Sequence, residues 1–157
     1  MKITNQWLVD NNACLSGKER AFNIIGDGME LSELLPKFDR ADWLLWTLKR
    51  TMNLTKVQYV ELAVLCAGTV LKIYESKYPQ DKRPRNAIKA AMNYVLNPTE
   101  ANRVAAHAAD AAAHAAYAAA HAAGAAADAV HAADVRTEHH KKLVKLILSK
   151  LKKWGIK

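Results

Sequence analysis

The sequence has little cysteine and no long run of strongly apolar residues. Its two cysteines, Cys14 and Cys66, allow at most one disulfide, whereas small secreted domains usually carry several. The first twelve residues, MKITNQWLVDNN, lack the apolar core of a signal peptide. No segment has the 18 or more strongly apolar residues of a membrane-spanning helix. We therefore expect a cytoplasmic protein without a transmembrane segment.

The motifs of common enzyme classes are also missing. The sequence contains no HExxH, no CxxC, no nucleophile elbow and no phosphate-binding loop. His107, Asp110 and His114 have a spacing that reaches one metal ion only if two helical turns face it, which is a weak signal. We predict no catalytic activity, no metal site and no cofactor.

The positive charge is confined to the C-terminal end. The formal net charge is +8, and residues 136–157 hold eight Lys or Arg against one Glu. Residues 1–135 therefore have a balance of only +1. This distribution does not indicate a specific nucleic-acid binder, because a basic tail serves nucleic acid, membrane or an acidic protein equally well. The simpler interpretation is a terminal helix with one solvated lysine face.

Apolar residues recur with helical periodicity, and no strand pattern is convincing. In DRADWLLWTLKRTM (39–52), five residues fall on one helical face, namely Ala41, Leu44, Leu45, Leu48 and Met52. The C-terminal helix likewise has an apolar side, formed by Leu143, Leu146, Ile147 and Leu151. We predict an all-α fold of one domain, a helical bundle over residues 1–136 with a basic amphipathic helix at 137–157.

Short local signals mark where the helices begin and end. Ser16 with Glu19 fits a capping box, and Thr55 can cap the following long helix. Gly26 and Pro79 are expected helix ends, and Pro84 is expected in a first helical turn. Asn97 is the predicted cap of the next helix.

That next helix, predicted over 98–136, is almost entirely alanine. Its larger residues recur every three or four positions and share one stripe, comprising Val104, His107, Asp110, His114, Tyr117, His121, Gly124, Asp128, His131 and Val135. Alanine elsewhere lets neighbouring helices approach closely, which favours a central place in the bundle. The stripe is either a solvated edge or the lining of a binding groove. An alanine face can also make a self-association seam, so a homo-oligomer is possible.

Two further groups of residues could bind an anionic or flat partner. Arg40, Trp43, Thr47 and Arg50 lie on one stripe, where arginine beside tryptophan can stack and hydrogen-bond. Lys82, Arg83 and Arg85 flank the helix start at Pro84 and could hold an anion. Each group has a structural alternative: a helix–helix contact for the first, and arginines that fix a loop to nearby carboxylates for the second.

Five segments in order carry a family resemblance: ACLSG, DRADWLLW, LAVLCAGTVLKIYE, YPQDKRPRNAIKAAMNYV and the alanine-rich helix. Over about residues 10–136 the chain resembles immunity proteins of bacterial polymorphic-toxin systems, the fifth-named class of that collection. DRADWLLW and RPRNAI are the most specific parts, and the basic C-terminal helix lies outside the clearest part. The resemblance implies a small cytoplasmic protein that neutralises a toxin by binding it.

Two functional hypotheses follow. In the first, the chain binds a toxin or defence effector protein stoichiometrically. Its surface would comprise Arg40, Trp43, Arg50, Arg83, Arg85 and the stripe residues His107, Asp110, His114, Tyr117 and His121. In the second, the same arginines and aromatic residues sequester a small anionic nucleotide signal between helices. A structural helical module without a ligand is a third possibility.

Overall fold

The computed structural model describes residues 1–108 and 132–156. Two-residue strands β1 (Lys2–Ile3) and β2 (Met29–Glu30) pair antiparallel, Lys2 opposite Glu30 and Ile3 opposite Met29. The helices are α1 (Asn5–Asp10), α2 (Leu15–Ile25), α3 (Leu31–Leu34), a 3-10 turn (Leu35–Lys37), α4 (Ala41–Thr51), α5 (Lys56–Lys77), α6 (Arg83–Leu96), α7 (helical over the described residues 100–108) and α8 (Ala132–Lys153). The prediction of an all-α fold is confirmed, although the small sheet was not predicted.

The chain divides into two compact units. Unit 1 comprises Met1–Asn53 and Arg136–Lys157, and unit 2 comprises Leu54–Val135. The C-terminal helix therefore shares a unit with the N-terminal segment. The predicted division at residue 136 stays a prediction.

In unit 1, the core begins where α1, α2 and α3 bury apolar side chains around the small sheet, namely Ile3, Leu8, Ala13, Ile25 and Leu34. The predicted face of α4 is largely correct, since Ala41, Leu44 and Leu48 are buried while Leu45 and Met52 are half-buried. On α8 the buried residues are Leu143, Val144, Ile147 and Leu151, so Val144 takes the place predicted for Leu146.

A hydrogen bond ties α8 to the start of α4 within unit 1. The Ala41 amide donates to His140 Nδ1 over 3.4 Å. The first amides of a helix lack partners within the helix, so the imidazole provides one from a distant part of the chain. This contact fixes the N-terminal end of α4, where several candidate residues lie.

In unit 2, α5 and α6 pack against each other. Leu62, Val64, Ala87 and Tyr94 are buried there. Within the described residues, no helix is long and apolar enough to cross a membrane.

The helix boundaries confirm some local signals and correct others. Thr55 caps α5 in a full capping box with Gln58, and α5 ends just before Pro79. Gly26, with a φ of 51°, ends α2. Pro84 lies in the first turn of α6. Ser16 is not a cap, because α2 begins at Leu15 and its cap position is Cys14. Asn97 is not the next cap either, since the helix begins at residue 100 and the Asn102 amide donates to Thr99 Oγ1.

Candidate functional site

A cavity of about 380 Å³ lies within unit 1. Most of its lining residues belong to α2, to the segment before α4 and to α4 itself, and β1, α1, the turn before α2 and α3 supply the others. Gly17 and Ala21 lie one helical turn apart on α2 and contribute almost no side-chain bulk to their wall. Phe38, Trp43 and Trp46 line it as well. Small residues on α2 therefore face large aromatic residues on α4 and in the segment before it, and this combination leaves an apolar recess.

Charged pairs lie among the residues that line this cavity. Arg40 donates two hydrogen bonds to Asp42, from Nε over 3.1 Å and from a terminal nitrogen over 2.6 Å. Arg20 pairs with Asp39 over 2.7 Å. All four side chains line the cavity, so its polar lining carries both signs of charge.

Two arginines, Arg40 at the cap position before α4 and Arg50 in its last turn, lie over tryptophan rings. The Arg40 guanidinium carbon is 4.4 Å from the Trp43 ring centroid, and that of Arg50 is 4.1 Å from the Trp46 ring centroid. Both distances fit a cation–π contact. Trp46 also meets Trp7 edge to face, with ring centroids 5.6 Å apart. Arg50 thus contacts a tryptophan that was not among the predicted site residues.

Thr47 belongs to the core and not to an exposed stripe. It is only 4% exposed, and its hydroxyl donates to the Trp43 carbonyl oxygen over 2.9 Å. The four-residue stripe of α4 therefore turns inward at Thr47, and Arg50 lies beyond it on an exposed part of the helix.

Cys14 lies at the same cavity, at the start of α2. Its Sγ is 3.5 Å from Ser16 Oγ. The Ser16 hydroxyl, the Gly17 amide and the nearby Arg40 charge lower the pKa of the Cys14 thiol. Burial raises the pKa of Cys66, and neither cysteine forms a disulfide. The exposed thiol and the less accessible thiol therefore differ in both access and acidity.

The candidate arginines of α6 are held by carboxylates of unit 2. Arg83 donates to both oxygens of Asp81, over 2.9 Å and 2.8 Å. Arg85 forms a similar two-bond pair with Glu75 of α5. The Tyr74 hydroxyl also donates to Asp81 over 2.7 Å. This geometry matches the alternative to anion binding, in which the arginines fix the loop between α5 and α6 to nearby carboxylates.

The predicted stripe is described only in part. His107 is exposed on α7. Asp110, His114, Tyr117 and His121 lie outside the described residues. Of the ten candidate residues, the structure brings Arg40 and Trp43 together at the cavity and places Arg83 and Arg85 in adjacent ion pairs.

Comparison with models of protein families gives a match. Residues 49–144, more than half of the chain, match the model of the family described as Imm-5 like putative immunity protein. The chain belongs to this family. No curated protein and no solved structure was found to match it.

The Imm-5 like match confirms the resemblance, but it covers residues 49–144 and not about residues 10–136. RPRNAI (83–88) lies inside the matched residues, whereas DRADWLLW (39–46) lies before them. The match also extends to residue 144, which includes the first part of the basic C-terminal helix. The cavity is lined by residues between Ile3 and Thr47, so it lies entirely before the matched region.

Several residues that line the cavity were not predicted from the sequence as site residues. They include Cys14, Ser16, Gly17, Arg20, Ala21 and Trp46. One available signal was the pair of small residues on α2, Gly17 and Ala21, four positions apart. Another was the spacing of Trp43 and Trp46, which places both rings on one side of α4.

Proposed function

We propose that this protein neutralises a bacterial toxin by binding it stoichiometrically, without catalysis, in the cytoplasm of the cell that it protects. Membership of the Imm-5 like family carries this proposal. The residues proposed to contact the toxin are Arg40, Trp43 and Arg50 in unit 1 and, taken by themselves, Arg83 and Arg85 in unit 2. The alanine-helix residues His107, Asp110, His114, Tyr117 and His121 belong to the same proposal.

The ion pairs favour a protein partner over a small nucleotide. Arg40, Arg83 and Arg85 each make two hydrogen bonds to a carboxylate of this chain. A phosphate would have to compete with those carboxylates for the guanidinium hydrogen-bond donors. A protein surface can instead add contacts around pairs that remain intact, as interfaces with mixed charge commonly do.

The test is co-expression with each candidate toxin domain from the genome that carries this gene. Growth should be restored in cells that produce both proteins, and native mass spectrometry should give a one-to-one complex. An unrelated toxin domain of similar size provides the control. A released mass of a few hundred daltons without any protein partner would support nucleotide sequestration and contradict the proposal. The bare chain alone would contradict both.

A further inference from the structure

The cavity of unit 1 is large enough to accept groups from another molecule. Its volume of about 380 Å³ compares with ~30 Å³ for one water molecule in the liquid. A Cβ added at Gly17 would lie 3.2 Å from Cys14 Sγ and 3.9 Å from the Trp43 ring. A side chain at position 17 would therefore enter the space between Cys14 and the Trp43 ring, which glycine leaves open.

The aromatic and cationic residues at this cavity are those that dominate binding energy in protein interfaces. Tryptophan and arginine are enriched among such residues, which cluster around pockets filled by the partner. Arg40, Trp43 and Trp46 line the cavity, and the Arg40 guanidinium contacts the Trp43 ring by cation–π geometry. Arg50, which does not line the cavity, makes the same kind of contact with Trp46. A partner side chain that enters the cavity would pack against the same two indole rings.

The charge of unit 1 indicates the charge of the partner segment around the inserted side chain. Residues 1–53 hold equal numbers of basic and acidic residues, so the +7 balance of residues 136–157 is the formal charge of unit 1. Five lysines of α8 are exposed, namely Lys141, Lys142, Lys145, Lys152 and Lys153. His140, the residue before Lys141 on α8, accepts the Ala41 amide over 3.4 Å, and Arg40 and Asp42 on either side of Ala41 line the cavity. The lysine face therefore reaches the neighbourhood of the cavity.

An acidic protein segment fits both features of unit 1, the apolar recess and the exposed lysines. Its carboxylates would meet the lysines, and an apolar side chain would fill the recess. Asp39 and Asp42 at the cavity are already paired with Arg20 and Arg40, so their charges are largely compensated within the chain.

We propose that the cavity receives a bulky apolar side chain of the toxin, carried on a segment rich in Asp and Glu. This inference rests on the proposed function and names the kind of contact by which that function is performed. Nothing in the family match assigns it, because the matched residues begin after the cavity.

The decisive variant is Ala21→Leu, which fills the cavity from its own wall. We expect its affinity for the co-expressed toxin domain to fall at least tenfold, while its thermal midpoint stays equal or rises because cavity filling stabilises folded proteins. Ala63→Leu is the matched control, since it adds the same side chain at an exposed position of α5. The control should bind as the wild type does.

A second measurement keeps the inference testable if Ala21→Leu folds poorly. In a Cys66→Ser background, Cys14 is the single thiol, and it lines the cavity. Complex formation should slow its labelling by a maleimide at least fivefold. Unchanged labelling in a stable complex would overturn the inference.

The remaining outcomes separate this inference from the proposed function. If the wild type binds no toxin, both fail. If the wild type and Ala21→Leu bind toxin equally, the cavity is not the contact and only this inference fails. A small amphiphile that co-purifies with the wild type, is lost in Ala21→Leu and leaves toxin binding intact would also overturn it.

Discussion

The guanidinium carbon of Arg40 lies 4.4 Å from the centre of the Trp43 indole ring. The same guanidinium donates two hydrogen bonds to Asp42. The carboxylate and the ring hold Arg40 in one position beside the cavity. An arginine fixed in this way loses little conformational freedom when a partner binds, which favours its use in an interface.

We expect Cys14 to react with a disulfide reagent much faster than Cys66 at pH 7. The lowered pKa of Cys14 increases its thiolate fraction, whereas burial raises the pKa of Cys66. Labelling kinetics of Cys66→Ser and Cys14→Ser proteins compare the two thiols directly.

The cause of the Cys14 shift can be tested in the Cys66→Ser background. Ser16→Ala removes the hydroxyl that contributes most to the lowered pKa of the Cys14 thiol. The midpoint of the pH–rate profile for Cys14 labelling should therefore move upward. Arg40→Ala should move that midpoint in the same direction by less. An unchanged midpoint in Ser16→Ala would show that the hydroxyl does not stabilise the thiolate.

We expect Thr55→Ala to lower the free energy of unfolding by about 1 kcal/mol, as loss of a helix cap typically does. Thr55 Oγ1 accepts the Gln58 amide over 3.2 Å. Thr55→Ser keeps the acceptor and should retain most of the stability. Ser16→Ala, at a position that does not cap α2, should cost clearly less than Thr55→Ala in the same urea titration.

We expect Ile147→Ala to lower the free energy of unfolding by about 2–5 kcal/mol, the usual cost of emptying a buried aliphatic site. Ile147 is fully buried on α8. Lys145→Ala, at an exposed position of the same helix, should change stability little. Equal stability of both variants in chemical denaturation would mean that α8 is not part of the core of unit 1.

We expect Asp81→Asn to make stability less dependent on acid pH. The ion pair with Arg83, the Tyr74 hydroxyl and the Arg83 amide hold the pKa of Asp81 well below its usual range. A carboxyl with a lowered folded-state pKa stabilises the protein above its unfolded pKa, about 3.9, and loses that contribution as the pH falls toward the folded value.

Urea midpoints at pH 6 and pH 3 measure this effect. The wild type should lose more stability between the two pH values than Asp81→Asn does. Asp27→Asn, in an exposed loop, controls for the removal of one negative charge. Parallel losses in wild type and Asp81→Asn would refute the proposed role of the pair.

The buried face of α4 was predictable because it depends on a repeat within one helix. Ala41, Leu44 and Leu48 recur at helical spacing and are buried. Thr55 was predictable for a related reason, since its capping partner lies only three residues away. Interactions of this range do not depend on the rest of the fold.

The start of α2 was not predictable from its local sequence. The segment SGKE matches a capping box, yet the helix begins one residue before Ser16. Asn12 adopts a positive φ of 55°, and the following Ala13 is buried in the core. Tertiary packing of Ala13 and the turn at Asn12 therefore decide where α2 begins.

The sequence by itself determined the all-helical class, the amphipathic α4 and α8, and the family, because these depend on periodicity and on residue order. Only the tertiary structure decided that Gly17 and Ala21 on α2 meet Trp43 and Trp46 on α4 at a cavity. It also decided that His140 accepts the Ala41 amide, 99 residues away in the chain. Such contacts depend on how distant helices pack, and no periodic pattern within one helix contains that information.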